Sequence, residues 1–97
     1  MTIGYNTQES GKRIQYLRKS YGLKQTELAE RLNISLDHLR KVENGQRGCS
    51  VDLLVCLSDL FQVTLDYLVL GRGFAPGMAQ KKVQSLIDQL EALKKEL

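Results

Sequence analysis

The chain has 97 residues, 42% of them hydrophobic and 26% charged, the composition of one small water-compatible domain with a modest core. Fourteen Lys and Arg against 11 Asp and Glu leave a formal charge of +3, which permits a nucleic-acid partner without requiring one. No apolar run approaches the roughly 20 residues of a membrane span, and the first ten residues lack the basic-then-apolar plan of a signal peptide, so a cytoplasmic protein with no membrane contact is expected. The two cysteines, Cys49 and Cys56, stand seven apart, and His38 is the single histidine. That is not metal-ligand spacing, and neither a metal nor another cofactor is expected.

In chain order, residues 1–6 read as a loose arm, with Thr7 or Ser10 as candidate caps for a first helix. Ile14, Leu17 and Tyr21 recur at helical spacing and give that helix an inward stripe, which Gly22 ends. Lys12, Arg13 and Lys19 lie mostly off the stripe, on a face that meets either solvent or phosphates. The next stretch, 23–45, organises the rest. Leu28, Ala29 and Leu32 share one helical face, Asn33 and Ile34 interrupt the period, and Leu39 and Val42 resume it. Asn33 tolerates a left-handed turn, and Ser35 can cap the second of the two helices. A short helix that begins on a small polar cap and ends at Asn44-Gly45 has the size of an element that lies in a DNA major groove.

Gly22, Leu23, Gln25, Leu28, Ala29, Leu32, Ile34, Ser35, Leu39, Val42 and Glu43-Asn44-Gly45 resemble, in register, the helix-turn-helix of phage repressor and Cro proteins, also called the xenobiotic-response-element type. The resemblance runs from about Gly11 to Gly71. It implies an all-α fold, a five-helix repressor-like DNA-binding domain over 1–71. It also implies roles. Gln25 and Asn44 match phosphate-contacting positions, and the loop residue Arg47 is a reasonable addition. Leu36, Asp37, Lys41 and Arg40 match base-contacting positions of the recognition helix. By their chemistry, Lys41 can donate to guanine, Asp37 can accept from the cytosine amino group, and Leu36 can pack on a thymine methyl. Arg18 and Glu43 match a structural ion pair. Many relatives carry proline where this chain has Cys49, which suggests a more flexible loop, and glycine where it has Gln62.

Beyond the loop, Ser50 is a good cap for a fourth helix over 51–61, with Leu54, Leu57 and Phe61 on the core face that the resemblance implies and Leu53, Cys56 and Leu60 beside it. Thr64 caps a fifth helix whose Leu65 and Leu68 are expected inward. So wide an apolar circumference needs a second surface to pack on, and Leu53, Leu60, Tyr67, Val69 and Leu70 are the candidates. Residues 72–77 hold the single proline between glycines and read as a linker. In 78–97, Ala79, Val83, Leu86, Leu90, Leu93 and Leu97 follow one another at 4, 3, 4, 3 and 4, a heptad seam widened by Ile87. This C-terminal amphipathic helix is expected to serve dimerisation or docking, either as a coiled coil or against the fourth and fifth helices of the same chain or of a second one.

No catalytic arrangement emerges: one histidine, no Gly-rich phosphate loop, no paired carboxylates at a cleft. The chain is read as a binding protein and not an enzyme. The expected partner is double-stranded DNA, read as a homodimer on a palindromic operator, with repression as the mode that the resemblance implies. The competing expectation is an antitoxin-like or other interaction module whose C-terminal helix binds a different protein.

Overall fold

Among the described residues six helices follow one another: α1 (Thr7–Ser20), α2 (Gln25–Leu32), α3 (Leu36–Glu43), α4 (Val51–Phe61), α5 (Leu65–Leu70) and α6 (Pro76–Lys95). The structure, a computed structural model, describes residues 4–73 and 76–95, of which 76–85 are described by backbone alone. The expectations for residues 1–3, for Leu97 and for the side chains of Ala79 and Val83 lie outside the described residues. Among the described residues there is no strand, and no helix is long and apolar enough to cross a membrane.

Local chemistry sets most boundaries. Ser35, Ser50 and Thr64 each accept a backbone N–H of the first helical turn, at 3.0, 3.1 and 3.0 Å. Asn33 adopts the left-handed conformation between α2 and α3, and Gln62 does the same between α4 and α5. The cap of α1 is neither Thr7 nor Ser10 but Asn6, whose Oδ1 accepts the N–H groups of Gln8 and Glu9 at 3.1 Å. Ser10 is buried inside the helix and donates to the Leu68 carbonyl at 2.6 Å, tying α1 to the end of α5. Helix α6 begins at Pro76, inside the expected linker, because proline fits a first helical position whose N–H would have no partner anyway.

Helix α1 packs on α3 and α5, α2 on α3 and α4, and α4 on α5. Ile14, Leu28, Leu39, Leu57, Phe61 and Leu68 are completely buried where they meet. The approach of α1 to α3 requires Gly11: a Cβ there would stand 2.5 Å from the carbonyl oxygens of Val42 and Glu43.

The fourth and fifth helices are rotated from expectation. Helix α4 buries Leu53, Leu57 and Phe61, and Leu54 and Leu60 stand half-buried at the margin of the core. Tyr67 is buried, while Leu65, expected inward, is 44% exposed. Leu53 and Tyr67 therefore complete this chain's own core and do not form a partner surface. The exposed apolar residues of α4 are instead Val51 and Val55, beside the exposed Cys56. Tyr21 is likewise half-exposed, its ring lying edge-on to Phe61 at 5.0 Å and its hydroxyl donating to the Phe61 carbonyl at 2.9 Å.

Candidate nucleic-acid interface

The outward side of α3 and the start of α2 carry most of the DNA-contacting residues expected from the sequence. Asp37, Arg40 and Lys41 are exposed on α3, and Leu36 is half-buried at its first position. Asp37 and Lys41 stand one turn apart, with Asp37 Oδ2 and Lys41 Nζ paired at 3.0 Å. Arg40 lines an open groove together with Gln15 of α1, Gln25 at the start of α2, and Glu43 and Asn44 at the end of α3. It thus stands with the expected phosphate contacts as much as with the base readers. Gln15 carries no helix-turn-helix signature, and its part in the groove arises only from the packing of α1 on α3.

A carboxylate in that groove would repel phosphate were it not neutralised. Arg18 does this: its Nε donates to Glu43 Oε2 at 2.7 Å and its Nη2 to Oε1 at 3.1 Å, with both side chains more than nine-tenths buried. The two-pronged geometry matches a planar guanidinium to a carboxylate. A third donation, from Arg18 Nη1 to the Leu23 carbonyl at 2.9 Å, ties the pair to the turn before α2. Glu43 Oε1 also accepts from Gln25 Nε2 at 3.1 Å. Because a carboxylate only accepts, it holds the Gln25 amide with its NH2 inward and its carbonyl outward.

The N-terminus of α2 is polar in a second way. At its N-cap stands Lys24, a side chain with no acceptor, whereas side-chain oxygens cap α1, α3, α4 and α5. The Glu27 carboxylate reaches back to the Lys24 N–H at 3.0 Å, but the first N–H groups of α2 receive no side-chain cap. Such groups, at the positive end of the helix dipole, favour an anion.

The loop from Asn44 to Ser50 is held by the segment that precedes α1. The hydroxyl of Tyr5 accepts the Cys49 N–H at 2.8 Å, Thr7 Oγ1 donates to the Gly45 carbonyl at 2.9 Å, and a Cβ at Gly48 would press on the Tyr5 ring at 3.0 Å. These contacts tether the loop that was expected to be looser at Cys49 for want of a proline. Proline would bring a fixed φ but no N–H, and Cys49 supplies the donor that Tyr5 takes. Arg47 lies exposed on this tethered loop. Burial pushes the Cys49 thiol above its ordinary pKa, partly offset by Tyr5, so it stays protonated near neutral pH. Neither Tyr5 nor its partnership with Cys49 was visible in the pattern, because the two are 44 positions apart.

Of the expected dimerisation residues, Leu86, Leu90 and Leu93 are 54%, 66% and 60% exposed, and Ile87 is 42% exposed.

The Helix-turn-helix family profile matches residues 14–68. The HTH-type transcriptional regulator ImmR of Bacillus subtilis (strain 168) is 41% identical over 59 residues, covering 61% of this chain and 46% of that protein. The HTH-type transcriptional activator BcrR of Enterococcus faecalis is 36% identical over 63 residues, covering 65% of this chain and 31% of that protein. The chain thus spans less than half the length of these curated relatives. Among solved structures, the P22 c2 repressor in complex with a synthetic operator is similar at a TM-score of 0.61 and 27% identity, over 64% of this chain and 94% of that one.

Proposed function

The chain belongs to the helix-turn-helix family, and from that membership we propose that it is a sequence-specific DNA-binding transcription regulator that acts as a dimer in the cytoplasm. One observation carries the reading: Gln25, Arg40 and Asn44 share a groove at one end of α3 whose carboxylate is neutralised by Arg18, while Asp37 and Lys41 stand exposed along the same helix. In this reading α3 enters the major groove. Gln25, the uncapped N–H groups of α2, Asn44 and Arg47 hold phosphates and set the register. Leu36, Asp37, Lys41 and Arg40 meet base edges.

A domain of this size makes few contacts, and specificity is gained when two recognition helices sit about 34 Å apart on a palindrome. The exposed Leu86, Leu90 and Leu93 of α6 supply a means of pairing two copies. The proposed mode of action is repression by occluding a promoter, which a reporter driven from the selected site distinguishes from activation.

The test is selection of fragments of the source genome by the purified chain at two salt concentrations. Enrichment of a palindromic site that survives the higher salt is the expected result; purely salt-sensitive, sequence-blind binding contradicts the reading. On the selected site, Lys41→Ala is expected to cost about 1 to 3 kcal/mol and relax one base position, and Gln25→Ala to weaken all sequences alike. The same exposed α6 seam favours a second reading, in which the helix grips a different protein. A chain that is monomeric alone and copurifies at a fixed ratio with a second protein supports that alternative.

A further inference from the structure

The ion pair on the outer face of α3 is unusual for a surface meant to approach a polyanion. Asp37 Oδ2 and Lys41 Nζ are 3.0 Å apart, with side chains 76% and 48% exposed. Of the two carboxylates on α3, Glu43 is buried against Arg18, so Asp37 alone presents an open negative charge from that helix. An exposed pair one turn apart is weakly held and exchanges partners readily.

We propose that Asp37 acts as a specificity filter through Lys41, competing with non-cognate DNA for the lysine and giving it up most readily where the site offers a guanine to Lys41 and a neighbouring base amino group to Asp37. The proposal rests on the reading of α3 as the recognition helix, and adds to it that the two residues read as one unit. On a matching site both groups exchange partners: the ammonium turns to guanine O6 and N7, and the carboxylate accepts from the amino group of cytosine. On any other sequence one of two losses follows. Either the pair stays closed and Lys41 contributes no contact, or it opens and leaves a carboxylate facing acceptor atoms and phosphates. The filter thus works mainly by weakening wrong sites.

The consequence has an unusual sign: removing a side chain from the DNA-facing surface should tighten binding to most DNA. The test is equilibrium binding of the full chain, and of its Asp37→Ala, Lys41→Ala and doubly substituted variants. The duplexes are one selected from a random library, its single-base-pair variants, and mixed-sequence DNA, each at 50 and 200 mM salt. Because Asp37 is exposed, all four proteins should give the same helical spectrum and melting curve. Asp37→Ala should bind mixed-sequence DNA several-fold more tightly, with a steeper salt dependence equivalent to about one added phosphate contact, roughly threefold over this salt range. It should also flatten a preference of about 5- to 150-fold at one base pair. In the double variant the tightening should disappear, since it depends on a freed Lys41.

A uniform loss on every duplex, no change on mixed-sequence DNA, or a gain that persists without Lys41 would each overturn the filter while leaving the recognition helix in place. Failure of the unsubstituted chain to distinguish any duplex would overturn the recognition-helix reading, and the filter with it.

Discussion

In α1 to α5 the apolar stripes meet one another: Ile14, Leu28, Leu39, Leu57, Phe61 and Leu68 keep no exposed surface, whereas Leu86, Leu90 and Leu93 of α6 keep more than half of theirs. Both regions carry the same kind of amphipathic pattern. The difference lies in what each pattern finds within one chain. Five short helices, each too short to be stable in water alone, turn back on one another through left-handed residues at Asn33 and Gln62 and capped starts at Ser35, Ser50 and Thr64, and so supply each other's apolar partners. Helix α6 runs for 20 residues, and the described apolar side chains of its second half remain outward. The first stripe closes within the chain and makes a domain; the described part of the second stays exposed, and in the proposed function it is the surface that pairs two copies.

The sharpest way to break the closed region is through its buried charge. Glu43→Ala leaves the Arg18 guanidinium buried without its carboxylate, and a loss of about 3 to 5 kcal/mol in denaturant unfolding is expected. The same change frees the Gln25 amide, so DNA affinity measured below the melting transition should fall as well. Tyr5→Phe is milder. It leaves the ring against Gly48 and removes only the acceptor for the Cys49 N–H, for an expected cost of about 1 kcal/mol. Binding to all sequences should weaken alike, because the loop that carries Arg47 is less firmly held. Leu90→Asp should have the smallest effect on the domain, leaving its melting transition unchanged while abolishing self-association in sedimentation equilibrium. If Leu90→Asp instead destabilised the domain, α6 would be part of the closed core and the contrast between the two regions would fail.

The sequence was most readable where structure is set locally. The caps at Ser35, Ser50 and Thr64, the turn at Asn33 and the inward Leu28, Leu39 and Val42 follow from residue chemistry and helical period over a few positions. Helix α4 was harder for a physical reason: with apolar residues around most of its circumference, its pattern does not say which arc faces inward. Leu53 took the place expected of Leu54, and Tyr67 that of Leu65, once α4 and α5 had packed together and on the rest of the domain. Within the candidate interface, the matching positions on α3 and Gln25 were legible from the family's spacing. The partners that hold them were not. The Gln25–Glu43 hydrogen bond spans 18 positions and the Tyr5–Cys49 bond 44, and no local period records either. Even the departure from proline at Cys49, which as a sequence feature suggested looseness, gains its meaning only when Tyr5 arrives to use the N–H.

In the proposed function a self-sufficient reading domain is brought to DNA in pairs through the exposed seam of α6. The measurement that tests it most directly is the stoichiometry of the full chain on its selected duplex, by sedimentation equilibrium with and without the DNA. Two chains per duplex are expected, reduced to weak single occupancy by Leu90→Asp. A single chain bound with full affinity, or two chains bound regardless of Leu90, would contradict it.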